Sequence, residues 1–309
     1  MQNRRDFLLA SLAMLSPVSG RAQTPKLDRI DALLAANVCR TRPDEVIPAA
    51  MTPRAPGELR YQGTHILAHG AFRDLAAAYH GPKGHRVTVA GGGCDDGIAT
   101  VRRGSADLGG LCCPVLGSRA EGMPWLLVAR DLKAVVVHPG NPVDSVSREL
   151  LRAVARGKLT HWRALGGEAR SIALVVRKHC PDYFEPVRQL LLDNRPAWSP
   201  HGLFVERDEQ IVDLVSRYQG GLGLVSWVFA QPLVKAGRLK VLKVDGVPPN
   251  QAATYPLHGP LSVVYRNWEA DTMRPFFDFL YGPQGQAIVA RVLAPVSAEE
   301  ANYRPARWT

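Results

Sequence analysis

The chain has 309 residues, of which 46% are apolar and 21% are charged, so it is long and apolar enough to bury the core of two lobes. Its formal net charge is +10, but the basic residues are scattered, which argues against nucleic acid as a partner and suits a field that draws anions into a cleft. The sequence contains no long polar low-complexity run of the kind that indicates extended disorder.

The first 22 residues resemble a twin-arginine export signal. Arg4 and Arg5 precede an apolar stretch at residues 7–15, which is too short to span a bilayer, and small residues follow before a cleavage point. We therefore expect a protein that is exported to the periplasm and is soluble there as a monomer, rather than one anchored in the membrane.

The elements follow in chain order. Residues 23–58 predict a surface helix and a proline-rich arm, and from Leu59 onward strands, turns of small residues and amphipathic helices alternate as in α/β proteins. The predicted strands are 59–62, 86–90, 106–111, 132–139, 171–176, 222–227, 239–244 and 260–266. The predicted helices are 66–79, one ending at 103, 147–159, 183–193, 209–220 and a pair within 273–293 broken at Gly282 and Pro283.

The cysteines are an odd set for an oxidising compartment: Cys39, Cys94, Cys112, Cys113 and Cys180. At least one must stay a thiol, bind a ligand or pair with another chain, and the adjacent pair closes only a strained ring. Several alternatives stay open. One is a disulfide between Cys94 and Cys180, and another is a disulfide that joins Cys39 of the arm to the first lobe. A third is that a cysteine of the adjacent pair is simply a small buried apolar residue.

Five stretches resemble the phosphate-binding proteins of ABC transporters, which are type II periplasmic binding proteins. They read GTHILAHGAFRDLAAAY, VAGGGCDDGIATVRRGSADLGG, VVVHPGNPVDSVSRELLRAVARGKLTHWRALGG, GGLGLVSW and FFDFLYGPQGQAIVARV, and together they span about residues 59–296. The resemblance implies an α/β fold with two lobes and a ligand cleft between them. The implied organisation is a signal peptide at 1–22, an arm at 23–58, a first lobe at 59–133 plus 257–309, and a second lobe at 134–256.

In that family, backbone amides at helix starts, hydroxyls in the first turns and an aspartate after the third strand hold an oxyanion. Carried over by position, the resemblance implies a ligand set of Thr64, His65, Gly93, Cys94, Asp107, Cys112, Cys113, Arg177, His179 and Cys180. The chain departs from the family where hydroxyl groups are expected, because Cys94, Cys112, Cys113 and Cys180 replace them with sulfur.

The residues themselves indicate a soft-ligand site. Ligands of open α/β sheets bind beyond the carboxyl ends of strands, and the loops there carry thiols and imidazoles. Thiolate and imidazole suit copper, zinc or a metalloid such as arsenite, and a thiol at a helix N-terminus has a lowered pKa. The candidate metal ligands are His65, Cys94, Cys112, Cys113, His179 and Cys180. Because successive strand residues face opposite ways, we expect only one of Cys112 and Cys113 to point into the cleft.

Other candidates have more ordinary interpretations. Asp95 and Asp96 are expected to cap a helix start. Arg177 is expected either to pair with Asp107 across the cleft or to clamp an anion. His69, four residues after His65, is expected to pack or to face solvent. Trp162 and Trp227 are expected in the core or at the hinge.

Three functions follow from these observations. The first is a non-enzymatic binding protein that delivers a thiophilic metal ion, metalloid or metal cofactor to an inner-membrane ABC transporter or a sensor kinase. The second is a receptor for phosphate or a related oxyanion, in which the cysteines are incidental. The third is a thiol redox enzyme or sensor, which we rank last because the chain has no CxxC motif.

Overall fold

A computed structural model describes residues 55–177, 186–193, 198–205 and 208–304. The predicted export signal, most of the predicted arm, Cys39, His179 and Cys180 lie outside these residues. Among the helices of the described ranges, none combines the length and apolarity needed to cross a bilayer.

The first lobe begins with three strands, each followed by a helix or a loop. β1 is Glu58–Thr64, and α1 follows as His65–Leu67, a π-helical turn at Ala68–Phe72, and Arg73–Ala78. β2 is Arg86–Gly92, α2 is Cys94–Arg103, and β3 is Leu108–Leu111. The lobe is completed by β10 at His258–Val264, α7 at Ala270–Tyr281, α8 at Pro283–Val289 and β11 at Ala294–Pro295.

The long strand β4, Trp125–Val137, leads into the second group of elements. These are β5 at Ser145–Val146, α3 at Arg148–Ala155, β6 at Ala173–Arg177, α4 at Pro186–Leu192, β7 at Leu203–Val205, α5 at Asp208–Arg217, β8 at Gly221–Ser226, α6 at Trp227–Lys235 and β9 at Lys240–Val244.

The sheet order is β2-β1-β3-β10-β4-β8-β6-β7, and β4 joins its two halves. The first part of β4 pairs antiparallel with β10 as far as Leu132, which lies opposite His258. From Lys133, which lies opposite Ser226, β4 pairs instead with β8 and β9. A single strand therefore passes from one lobe to the other, and the step from Leu132 to Lys133 is the point at which its partners change.

Two sequence interpretations of this region were incomplete. The apolar run at 125–130 and the predicted strand at 132–139 are one 13-residue strand, because the charged pair Asp131 and Lys133 does not interrupt the extended backbone. Helix α6 was not predicted, because the sequence read as a strand running through Trp227. Ser226 caps this helix by accepting a hydrogen bond from the backbone N–H of Val228. Trp162 and Trp227 are both buried, as expected of core residues.

Candidate functional site

The carboxyl ends of three strands meet at one edge of the first lobe. β1 is parallel to β2 and to β3, with Thr64 opposite Gly92 and Gly63 opposite Gly110. The segments that follow these strands therefore start side by side. These segments are helix α1 after β1, helix α2 after β2, and the loop that carries Cys112 after β3.

Helix α2 lies unusually close to these strands because glycines line the contact. A Cβ at Gly109 would lie 2.6 Å from the carbonyl oxygen of Gly97, and a Cβ at Gly97 would lie 2.9 Å from the carbonyl oxygen of Gln62. These two oxygen atoms belong to the backbone and cannot move aside as a flexible side chain could, so the two positions require glycine. The close packing sets the start of α2, and with it Cys94, above the end of β3.

Three thiols converge at this edge. The Sγ atoms of Cys94 and Cys112 are 3.4 Å apart, and those of Cys94, Cys112 and Cys113 all lie within 4.8 Å of one another. The backbone N–H of Cys112 also donates to the sulfur of Cys94 at 3.2 Å. We call these three residues the thiol cluster. Cys94 and Cys113 are buried and Cys112 is partly exposed.

Both adjacent cysteines contribute a sulfur atom to the cluster, and which of them points into the cleft stays a prediction. β3 ends at Leu111, so Cys112 and Cys113 lie in the loop beyond it, where the alternation of strand side chains no longer applies. Cys180, another of the candidate metal ligands, lies outside the described residues, so its part in the site stays a prediction.

The environment of the thiol cluster favours an ionised sulfur on Cys112. Hydrogen bonds from the thiols of Cys113 and Cys94 hold the pKa of the Cys112 thiol well below its ordinary value. Burial opposes this effect, while the charge of Lys133 and the hydroxyl of Thr64 act with it. A thiolate is the form of cysteine that binds metals and reacts with electrophiles.

Lys133 belongs to a polar cluster where β4 changes partners. Its ammonium group lies 3.0 Å from Oδ2 of Asp131, a carboxylate that is 2% exposed. The other carboxylate oxygen accepts a 2.6 Å hydrogen bond from the hydroxyl of Ser226, and the hydroxyl of Tyr255 donates to the carbonyl of Lys133. The cation that influences Cys112 is thus held by residues on both sides of the lobe crossing.

Asp107 does not occupy the position that the resemblance implied. It precedes β3 rather than following it, since the strand begins at Leu108. Its carboxylate accepts a 2.7 Å hydrogen bond from the backbone N–H of Arg60 and ties the start of β3 to β1, at the end of the strand opposite the thiol cluster. The residue that does follow the strand is Cys112, where the resemblance implies a hydroxyl group.

Arg177 has a partner that the sequence analysis did not name. At the end of β6 its Nη1 lies 3.4 Å from Oδ2 of Asp208, in a largely buried ion pair. His179 and Cys180, which follow Arg177 in the sequence, lie outside the described part of the chain.

Gly93 and Asp96 shape the start of α2. Gly93 is the N-cap, and its backbone N–H donates to the carboxylate of Asp96 at 2.9 Å, which confirms the expected capping role. Asp95 instead forms an ion pair with Arg119 at 3.5 Å. The first turn of α2 thus carries two acidic side chains directly after Cys94.

His65 does not join the thiol cluster. Its ring lies against Gly91, where a Cβ would come within 2.3 Å of its Nδ1, and it stacks on His69 with ring centroids 5.9 Å apart. His69 in turn contacts the ring of Phe229 edge-on, as expected of a packing residue. The hydroxyl of Thr64, one residue earlier, helps to lower the pKa of the Cys112 thiol.

Lys133 and Asp131 are the residues of this region that the sequence analysis missed. The sequence contained a signal for them, because Asp131 and Lys133, with Arg130 before them, interrupt the otherwise apolar segment at 125–137. Charges inside a buried strand are costly unless they are paired, so such a pair indicates a site or a junction.

Comparison with known proteins relates this geometry to a fold. A model of the PBP superfamily domain matches residues 62–284. The phosphate-binding protein PstS of Bacillus subtilis (strain 168) is 23% identical over 168 residues, which is 53% of each chain, so the match spans about half the length of that relative.

Two solved structures share the fold over most of the chain. A putative phosphate ABC transporter substrate-binding protein with bound phosphate from Clostridium perfringens has a TM-score of 0.63 at 20% identity, covering 78% of this chain and 100% of its own. An ABC-type phosphate transport receptor from Vibrio cholerae has a TM-score of 0.58 at 23% identity, covering 77% and 100%. The predicted α/β fold with two lobes is confirmed.

Proposed function

Because the chain belongs to the PBP superfamily, we propose that it is an extracytoplasmic solute-binding protein that captures a thiophilic ion at Cys94, Cys112 and Cys113. The observation that carries this proposal is the convergence of three sulfur atoms within 4.8 Å at the carboxyl edge of a parallel sheet. Ligands bind at that edge in open α/β folds, and thiolates select soft cations over phosphate.

The proposal extends to the biological setting, supported by the family for the location and by the sequence of residues 1–22 for the export signal. A signal of the twin-arginine type at residues 1–22 would export the chain to the periplasm, and the bound ion would pass to an ABC transporter or a sensor kinase of the inner membrane. No catalytic role is proposed, which agrees with the names of the three relatives described above, each a binding protein or transport receptor.

The test is titration of the reduced protein with zinc or arsenite, with protection of thiols from alkylation as the readout. We expect one ion per chain and protection of Cys94, Cys112 and Cys113 together. Substitution of any of the three by serine should abolish protection of the other two. Cys39→Ser, which keeps the whole thiol cluster, is the matched control. If the three serine variants bind as the native protein does, the proposal is wrong.

A receptor for phosphate or a related oxyanion is the second candidate. It is favoured by the fold shared with phosphate-binding proteins, one of them solved with bound phosphate. The helix start at Gly93 is the kind of feature that holds anions, although Asp95 and Asp96 oppose negative charge there. Phosphate affinity that is retained in Cys112→Ser would support this candidate against the first.

A further inference from the structure

We infer that the ligand of the thiol cluster is a trivalent metalloid hydroxide such as arsenous acid, rather than a divalent or monovalent metal cation. The inference rests on the proposed function and narrows it to one chemical class. It follows from the number of sulfur atoms in the cluster, from their burial and from the charges beside them.

The positively charged groups beside the thiol cluster already have acidic partners. Within the described residues, Lys133 is paired with Asp131 at 3.0 Å and Arg119 with Asp95 at 3.5 Å. The partial positive charge at the start of α2 is offset by Asp96, whose carboxylate accepts from the N-cap. Lys133 already favours one negative charge, the Cys112 thiolate, and the described surroundings offer little further positive charge to balance a ligand complex that is itself negative.

The net charge of the complex depends on the ion. With three thiolates, a monovalent cation gives a complex of charge −2, a divalent cation gives −1, and trivalent arsenic gives a neutral one. Cys94 is 1% exposed and Cys113 is 8% exposed, so a charged complex would be largely removed from water. Burying a charge without a partner is costly, and the neutral complex avoids that cost.

Binding of arsenous acid is a balanced exchange without redox change. Three As–O bonds break and three As–S bonds form, and each thiol proton leaves with a hydroxyl group as water. A divalent cation instead displaces three protons from the same three thiols. Whatever the starting ionisation of the thiols, arsenous acid therefore releases three protons fewer than a divalent cation does.

Three sulfur atoms also match the coordination of a trivalent metalloid. Such an atom forms a pyramid with three ligands on one side and its lone pair on the other. Zinc completes its shell with a fourth ligand in almost all structural sites. The thiol cluster of the described residues supplies three sulfur atoms, with the hydroxyl of Thr64 beside them.

The experiment is competition and proton release on the full-length reduced protein. We expect arsenite to displace zinc present in about tenfold excess, which corresponds to an advantage of more than about 1.4 kcal/mol. In weakly buffered solution, arsenite should release three protons fewer per chain than zinc. Cys112→Ser should abolish both signals, and Cys39→Ser should keep them.

The outcomes separate this inference from the proposed function. If zinc binds at the thiol cluster and arsenite does not displace it, the inference is overturned and the thiophilic receptor stands. If arsenite binds equally well to Cys112→Ser, or releases as many protons as zinc, the inference is also overturned. If neither ion protects the reduced thiols, the proposed function itself fails.

Discussion

The sulfur atoms of Cys94 and Cys112 lie 3.4 Å apart although 18 residues separate them in the chain, and the backbone N–H of Cys112 donates to the sulfur of Cys94. One residue is the first of a helix and the other follows a neighbouring strand. Their contact depends on the packing of α2 against β1 and β3, so the thiol cluster is a product of the fold of the first lobe.

We predict that Cys112 is alkylated at a pH well below that needed for an ordinary thiol. Hydrogen bonds from Cys113 and Cys94 lower its pKa, and the thiolate is the reactive form. The check is the pH dependence of iodoacetamide labelling followed by peptide mass spectrometry. Cys113→Ala removes the leading hydrogen bond and should move the labelling curve to higher pH, whereas Cys39→Ser should not move it.

The same shift has a consequence for stability. The pKa of the Cys112 thiol is lower in the folded chain than in the unfolded chain, so its ionisation stabilises the fold. This stabilisation is complete above the unfolded-state pKa of about 8.5. This contribution is lost as the pH falls through the folded-state pKa. For the labelling experiment above, an unchanged curve in Cys113→Ala would contradict the assignment of the lowered pKa to the hydrogen bond from Cys113.

Lys133→Gln should destabilise the protein by about 2 kcal/mol or more. The substitution removes the ammonium group that lies 3.0 Å from the buried carboxylate of Asp131, while Ser226 still donates to that carboxylate. Denaturant unfolding measures the change, and Lys133→Gln combined with Asp131→Asn should recover part of the loss. Arg291→Gln is the matched control. Its ion pair with Asp74 is exposed, so it should change the free energy of unfolding by less than about 0.5 kcal/mol.

Gly109→Ala should weaken both folding and ion binding. The new Cβ would lie 2.6 Å from the backbone oxygen of Gly97, and relief of this contact requires α2 to move away from the sheet, carrying Cys94 with it. We expect a loss of about 1–3 kcal/mol in unfolding free energy. Gly140→Ala is the control, because its nearest neighbour is the side chain of His138 at 3.3 Å. Equal stability of the two variants would argue against the close packing of α2.

Asp107→Asn should lower stability without changing ion binding. Its carboxylate accepts from the backbone N–H of Arg60 at the far end of β3, so loss of the charge weakens a structural hydrogen bond by about 1–2 kcal/mol. Titration with arsenite should give the same affinity as the native protein. A loss of affinity comparable to that of Cys112→Ser would instead return Asp107 to the ligand site.

Periodicity and turn residues in the sequence determined the α/β alternation, most of the strands, and the capping role of Asp96. These features depend on residues close together in the chain, so local rules are enough to predict them. The unbroken β4 and the missed α6 depended on pairing and burial. Local sequence does not specify either of these.

The sequence could indicate a set of candidate residues, but it could not show which of them lie together in the fold. The sequence marked Cys94, Cys112 and Cys113 as ligand candidates because they follow strands, and it marked His65 and Asp107 for similar reasons. Only the tertiary structure separated them. The end of β3 at Leu111, the glycine contact under α2 and the charge pair at Lys133 decide which side chains meet, because each depends on strands and helices brought together from distant parts of the chain.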